Sequence, residues 1–123
     1  MTKINSKNVL GTKLNPCCFE PVTGFNRDGY CNTNDYDSGK HIICAVMTSE
    51  FLHYSKTRGN NLMDGNAYFP GLKAGDKWCL CIERWLEAFD ADVAPKVILT
   101  SSHSSCLEYV DLEILKKHEF KPH

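Results

Sequence analysis

The chain has 123 residues, which corresponds to one domain with room for a hydrophobic core. Hydrophobic residues make up 42% and charged residues 24%, as in ordinary globular proteins, so a wholly disordered chain is excluded. Fourteen Lys and Arg stand against fifteen Asp and Glu, and without a basic surplus we expect neither nucleic-acid nor membrane-surface binding.

Seven cysteines give the chain a high thiol content, and their odd number prevents complete intramolecular pairing. Residues 1–8 contain no apolar stretch of the kind that forms an export signal, so we expect a cytoplasmic protein whose thiols stay reduced. Under that expectation the cysteines act as small buried hydrophobes, metal ligands or reactive groups.

The first third of the chain is predicted to be irregular. Residues 1–8 are expected to form a flexible tail, and residues 10–40 are rich in the Gly, Pro and Asn residues that interrupt regular structure. Aromatic side chains are interleaved with them, which argues against a solvated linker. We therefore expect residues 10–40 to form an ordered segment over the core, anchored by the aromatic residues Phe19, Phe25, Tyr30 and Tyr36.

A regular core is predicted over residues 41–119, in the order β-α-β-α-β-α. Residues 41–47 form a short apolar run rich in β-branched side chains, which indicates a buried strand. Thr48 is suited to cap a helix over residues 49–58, because its hydroxyl can accept a hydrogen bond from a first-turn N–H. Residues 60–76 are rich in Gly and Asn and are predicted to be a second loop.

Residues 77–82 alternate between the two faces of a predicted strand. Trp78 and Leu80 share one face, and Cys79 and Cys81 share the other. The remaining elements are predicted to be a helix, a strand, an extended piece and a final helix, over residues 83–91, 96–100, 107–110 and 112–118.

This order of elements predicts the α+β class, and the alternation of strands and helices favours parallel strand pairs. Three or four short strands make a small sheet, and three short helices are too few to cover both of its faces. We therefore predict two layers, with the helices mainly on one face of a mixed sheet and the irregular N-terminal third on an edge or on the other face. A small three-layer α/β sandwich is the alternative.

Several phrases of the sequence resemble a known family. They are NVLG at residues 8–11, TGFNRDG at 23–29, CAVMT at 44–48, FPGLK at 69–73 and GDKWCLC at 75–81. Over about residues 8–118 the chain is similar to the bacterial and plant family catalogued as a domain of unknown function, DUF2237. The chain departs from the family pattern at residues 59–64, where it reads GNNLMD. The resemblance implies a compact α+β cytosolic protein and brings no activity, substrate or cofactor with it.

Cys79 and Cys81 are the first candidates for a metal site. On a strand their thiols share one face, with Cα atoms about 6.6–6.8 Å apart, which is the outer edge of disulfide geometry. The same spacing suits two ligands of a tetrahedral zinc site. Candidates for the remaining ligands are His103, Cys44, His41 and Cys31. No motif identifies another cofactor, and structural, half-buried strand cysteines are the alternative.

Nucleophilic catalysis by Cys79 or Cys81, with His103 as the general base, is a second hypothesis for the same residues. Cys81 lies two residues before a predicted helix N-terminus, where the helix dipole favours a thiolate. The alternative for His103 is a surface or capping histidine. No phosphate-binding loop, dinucleotide-binding turn, HExxH or GxSxG motif is present, so the sequence gives no support to nucleotide chemistry or to the common hydrolase types.

A ligand cleft is predicted at the ends of the strands. Arg27 and Asp28 lie between glycines, where the guanidinium could bind a carboxylate or phosphate, or where the pair could simply fix the loop. If the strands are parallel, their ends share one edge of the sheet. The residues expected to line a cleft there are Arg27, Asp28, Thr48, Cys81 and His103, with Trp78 or Trp85 beneath it.

Two functions from different classes follow. The favoured one is a small cytosolic ligand-binding or interaction module, whose partner is a small molecule or another protein. The alternative is a thiol- or metal-dependent enzyme or sensor that uses Cys79, Cys81 and His103. The ligand and the oligomeric state have no signature in the sequence.

Overall fold

The computed structural model describes residues 6–19, 22–33, 37–65 and 71–121. Within these residues one three-stranded sheet forms from β1 (His41–Val46), β2 (Lys77–Cys81) and β3 (Lys96–Val97), in the order β2-β1-β3. The α+β class is confirmed. Both strand pairs are antiparallel, so the expectation of parallel pairs in a mixed sheet was wrong for these three strands.

The antiparallel pairing follows from where the second loop ends. The N–H of Met47, just after β1, donates to the carbonyl of Asp76 at 2.8 Å, and the N–H of Gly75 donates to the carbonyl of Met47 at 2.8 Å. These bonds fix the start of β2 beside the end of β1, so β2 runs in the opposite direction. Thr48 and Cys81 therefore lie at opposite ends of the sheet, and the single edge of strand ends expected from the sequence does not exist.

Three α-helices are present in the described residues: α1 (Ser49–Thr57), α2 (Ile82–Asp90) and α3 (Leu112–Lys117). The predicted N-cap of α1 is confirmed, because the Thr48 hydroxyl accepts a hydrogen bond from the Phe51 N–H at 3.0 Å. None of the helices in the described parts of the chain has the length and apolar character that a membrane crossing requires.

The region after β3 differs from the prediction. The strand expected over residues 96–100 ends at Val97, and 3₁₀ turns occupy Leu99–Ser101 and Ser104–Glu108, where residues 107–110 were expected to be extended. The cause is a local hydroxyl: Ser102 Oγ accepts from the N–H of Cys44 at 3.0 Å and donates to the carbonyl of Ile98 at 2.9 Å. These bonds turn the chain instead of extending the ladder.

The two faces of the sheet are covered by different parts of the chain. On one face, Ile43, Ala45 and Leu80 pack with helix residues into the main apolar core, in which Trp85 is fully buried. On the other face, cysteines of β1 and β2 pack against cysteines of the N-terminal segment. This agrees with the predicted position of the N-terminal third.

The N-terminal segment is anchored differently from the prediction. Phe19 and Phe25 are exposed, Tyr30 is half-buried, and Tyr36 lies outside the described residues. The buried anchors are Val9, Leu14, Cys17 and Cys31. Asn8 is 1% exposed, donates from its amide to the carbonyl of Thr100 at 3.1 Å and forms a β-bridge with His103. Residues 6–8, which we expected in a flexible tail, thus lie against the core, and the first five residues lie outside the described parts.

Candidate functional site

Four buried cysteines form a cluster behind the sheet. Cys17 is bonded to Cys44 and Cys31 to Cys79, with Cα–Cα distances of 5.9 and 5.1 Å, inside the range that a disulfide allows. Cys44 and Cys79 are direct cross-strand partners, so their side chains project to the same side of the sheet. The expectation that all the cysteines are reduced thiols is therefore not met in this structure.

The four sulfurs of the cluster would give the donor set of a metal centre only after both disulfides were reduced. The sulfurs of Cys17, Cys31 and Cys44 all lie within 4.8 Å of one another, and the sulfur of Cys79 is bonded to that of Cys31. Four thiolates in a buried cluster are a donor set that zinc uses in structural sites. Of the ligands suggested by the sequence, Cys44, Cys79 and Cys31 belong to this cluster, whereas Cys81, His41 and His103 do not.

His41 and Asp37 form a hydrogen-bonded pair at the start of β1. The Asp37 carboxylate is fully buried and accepts from the His41 backbone N–H at 2.9 Å, and its other oxygen lies 2.7 Å from the imidazole Nδ1. A carboxylate only accepts, so Nδ1 carries the proton of a neutral ring and Nε2 is left as the acceptor. Burial on its own would raise the pKa of Asp37, but the hydrogen bonds from His41 and Thr33 and the charge interaction with His41 together outweigh it and hold that pKa below its ordinary value.

A cleft opens beside this pair. Two cavities of about 230 Å³ each share His41, Leu62 and Trp78 as walls. We call their union the Trp78 cleft; its lining residues are Arg27, Gly39, His41, Asn60, Asn61, Leu62, Trp78, Leu80, Cys81 and Arg84. A larger cavity of about 530 Å³ lies between α1 and α2, is bordered by Glu83, Glu87 and Asp90, and contains none of the predicted site residues among those that line it.

The Trp78 cleft has two arginines among its described lining residues. The Arg27 guanidinium carbon lies 5.1 Å from the centroid of the Trp78 ring, a cation–π distance, and Nη1 donates to the Gly24 carbonyl at 2.7 Å. Arg84 donates to the Arg58 carbonyl at 3.0 Å and pairs with Glu87 at 3.4 Å. Because a guanidinium carries five N–H donors, the bonds named leave Arg27 with donors for a ligand.

Cys81 lies at the rim of the cleft, at the junction of β2 and α2. It is half-buried, takes part in neither disulfide and is the N-cap residue of α2, although its side chain makes no capping bond. Among the described cysteines outside the disulfides, Cys106 is fully buried, and that burial raises the pKa of its thiol to about 12. Cys81 is therefore much better placed for reaction than Cys106.

The structure brings together only some of the residues expected to form one cleft. Arg27, Trp78 and Cys81 line the Trp78 cleft, but Thr48 serves as a helix cap at the other end of the sheet. Asp28 accepts from the N–H of Tyr30 at 3.1 Å and so helps to fix its own loop, the structural alternative to a ligand contact. Trp85 does not lie beneath the cleft, because its indole donates to the Pro95 carbonyl inside the core at 3.0 Å.

His103 does not face Cys81. It caps a 3₁₀ turn through Nδ1, which accepts from the Ser105 N–H at 3.0 Å, and it lines neither cavity of the Trp78 cleft. Burial lowers the pKa of His103, and the nearby Glu108 opposes this only in part. Of the two interpretations of this residue, the capping histidine is the one that its contacts support.

Sequence reasoning missed several lining residues of the cleft. Asn60, Asn61 and Leu62 lie in a loop without periodicity, and Arg84 has the pattern of an ordinary surface residue of an amphipathic helix. One signal was present: Asp37 and His41 are four residues apart around a Gly-containing turn, a spacing at which a carboxylate can reach an imidazole.

Comparison with known proteins places the chain in one family. A search of curated proteins finds no match to the sequence. A family model matches residues 7–119, nearly the whole chain, in agreement with the resemblance seen in the sequence phrases. The chain therefore belongs to the family described as "Uncharacterized protein conserved in bacteria (DUF2237)".

Proposed function

We propose that the protein binds a small organic anion in the Trp78 cleft. The observation that carries the proposal is the position of the Arg27 guanidinium carbon, 5.1 Å from the centroid of the Trp78 ring. Trp78 is a wall that the two cavities share. Pockets of this kind hold ligands by an apolar surface together with a few well-placed polar groups. The proposal is the ligand-binding function that the sequence favoured, with a small molecule as the partner.

The charge of the cleft supports an anionic ligand. Among the described residues, the permanently charged side chains that line it are Arg27 and Arg84. The carboxylates next to these lining residues are each engaged: Asp37 with His41, Glu87 with Arg84 and Asp64 with Asn61. Guanidinium groups match the geometry of carboxylates with two parallel N–H donors. Trp78 and Leu62 supply an apolar wall, so the expected ligand has a carboxylate and a compact apolar body.

Benzoate and its neutral isostere benzamide provide the test. We expect benzoate to shift backbone amide NMR signals of residues around the cleft, and benzamide to bind at least about tenfold more weakly, the value of one charge-assisted hydrogen bond. Arg27→Gln should remove this preference for the anion. Arg58→Gln is the matched control, because Arg58 is the exposed C-cap residue of α1 and lines neither cavity.

Equal binding of benzoate and benzamide would contradict the proposal, as would shifts that spread over the surface without a maximum at Trp78. Loss of benzoate binding in Arg58→Gln to the same extent as in Arg27→Gln would show a general charge effect and would contradict it as well.

The cysteine cluster supports a second candidate function, zinc binding by the reduced chain. In a reducing compartment, such as the cytoplasm that we expected from the sequence, a dithiol can transfer two electrons and two protons to each disulfide and close its own disulfide. The four thiols formed, on Cys17, Cys31, Cys44 and Cys79, then release their protons as Zn²⁺ binds. The supporting observation is the mutual distance of at most 4.8 Å among three of these sulfurs.

Cobalt provides a coloured probe for this second candidate. Protein reduced with a phosphine and titrated with Co²⁺ should develop the thiolate-to-metal absorption of a tetrathiolate site, and Zn²⁺ should abolish it. Cys31→Ser should lose the signal, whereas Cys81→Ser should keep it, because Cys81 lies outside the cluster. Absence of the absorption in the reduced wild-type chain, or its survival in Cys31→Ser, would contradict zinc binding at these sulfurs.

A further inference from the structure

Cys81 and His41 lie beside each other on neighbouring strands, at the rim of the Trp78 cleft. They are Cα partners in the antiparallel β1–β2 pair, beside a register shift between His41 and Ile43, and both line the same cavity. A thiol and an imidazole are therefore held next to each other where a small molecule can reach them.

The imidazole is held in place by neighbours on several sides. Asp37 holds Nδ1 at 2.7 Å, which leaves Nε2 to accept a proton, and the ring of Phe25 stacks on the imidazole with a centroid distance of 6.4 Å. Gly39 borders the other edge: a Cβ at this position would lie 2.7 Å from Cε1 of His41 and 3.3 Å from Nε2. Absence of a side chain at Gly39 thus makes room for the ring.

Two positively charged groups lie near Cys81 in the fold. Cys81 precedes the first turn of α2, a helix of nine residues whose N-terminal N–H groups carry a positive partial charge. Arg84, one turn further along this helix, lines the same cavity. A nucleophilic site has three parts: a nucleophile, a base that borders the same space, and a group that orients the base. Here these are Cys81, His41 and the buried carboxylate of Asp37.

We propose that Cys81, with His41 as general base and Asp37 as the residue that positions His41, accepts an acyl group from small carboxylate-bearing esters or thioesters. The substrate class rests on the proposed anion binding in the cleft. In the step itself, the Cys81 thiol proton moves to Nε2 of His41 while Sγ forms a bond to the carbonyl carbon.

The bond from that carbon to the leaving oxygen or sulfur then breaks, and the leaving group takes the proton from His41. In the second half, water gives a proton to Nε2 and its oxygen attacks the thioester carbon. The carbon–sulfur bond breaks, the free acid is released, and the proton returns to Sγ. No oxidant or other reactant besides water is needed.

Acylation by p-nitrophenyl esters tests the nucleophile. Protein with intact disulfides is mixed with p-nitrophenyl acetate, and the acetylated residue is located by peptide mass spectrometry. We expect acetylation of Cys81 ahead of Cys18 and Cys106, and no release of p-nitrophenol above the rate of the buffer in Cys81→Ser. Acetyl groups on another residue, or unchanged release by Cys81→Ser, would overturn the proposal.

Two variants test the roles of the partners. His41→Ala should lower the acylation rate by about 10²-fold or more, the lower end of general acid–base contributions, and added imidazole should restore part of it. Asp37→Asn should lower the acylation rate while benzoate still binds in the Trp78 cleft, a combination that a general loss of structure would not produce. A folded His41→Ala protein with the wild-type rate would overturn the role of His41. If that variant fails to fold, the mapped acylation site and the rate of Cys81→Ser test the proposal instead.

The anion preference separates this proposal from the binding function. The p-nitrophenyl monoester of succinic acid should acylate Cys81 at least about tenfold faster than the acetate ester, since one charge-assisted hydrogen bond is worth that factor. Benzoate binding without acylation of Cys81 would refute the nucleophile and leave the binding function standing. Acylation of Cys81 without any preference for the anionic ester would refute carboxylate-bearing esters as the substrate class.

Discussion

The disulfide between Cys31 and Cys79 should contribute more to stability than any other single link in the chain that the structure describes. It joins residues 48 positions apart, and the chain-entropy relation for a loop of this length gives about 4.1 kcal/mol at 25 °C. The Cys17–Cys44 link spans 27 positions, for which the same relation gives about 3.6 kcal/mol. The variant to make is Cys31→Ala with Cys79→Ala, which leaves the other disulfide in place.

Urea unfolding without reductant and with a chelator measures the loss, with the fluorescence of the buried Trp78 and Trp85 as the signal. A loss of about 4 kcal/mol moves the midpoint by about 2 M urea for an m-value of about 2 kcal/mol/M. Cys106→Ala is the control, because it removes a buried thiol that carries no cross-link and should cost about 1 kcal/mol. A loss in the double variant no larger than in this control would refute the assignment of a stabilising Cys31–Cys79 bond.

Three further outcomes are expected. The folded-state pKa of Asp37 lies below its ordinary value of 3.8. The ionised carboxylate therefore stabilises the fold fully above pH 3.8, and this stabilisation is lost as the pH falls through the folded-state pKa. Asp37→Asn should flatten the fall of the melting temperature between pH 5 and pH 2. Cys106, with its pKa raised to about 12, should stay unlabelled by iodoacetamide at pH 8 in the native protein and react only after unfolding, as peptide mapping can show. Trp85→Phe should lower the free energy of unfolding by about 2 kcal/mol, since it leaves the buried Pro95 carbonyl without its indole donor, and an unchanged urea midpoint would contradict this.

The sequence predicts the elements of the fold better than their arrangement. Residues 41–47 and 77–82 have local patterns that determine strands, and Thr48 is an N-cap that acts within one helical turn, so all three were predictable. The direction of β2 depends on the bonds between Met47, Gly75 and Asp76, which join the two ends of a connection made of α1 and the irregular second loop. Nothing periodic marks that closure, and for this reason the strand pairs were expected to be parallel.

In the candidate site, too, the sequence predicts individual residues better than the way they are brought together. Trp78 and Cys81 could be assigned to the site from their strand, but the partner of Cys81 depends on the register of β1 against β2, which places His41 opposite it. The disulfides join Cys44 and Cys79 to cysteines of a segment with no regular structure, whose position is set by contacts distant in sequence. His103 was a plausible base from its place after a strand, and only its bond to Ser105 shows that it serves as a cap.

A crystal structure of the protein grown with benzoate tests the ligand cleft most directly. We expect the benzoate ring to lie against Trp78 and Leu62, with its carboxylate about 2.7–2.9 Å from guanidinium nitrogens of Arg27 or Arg84, the length of a charge-assisted hydrogen bond. Benzoate bound away from Trp78, or a carboxylate that points to solvent while both guanidinium groups keep only their protein partners, would contradict the proposed anion site.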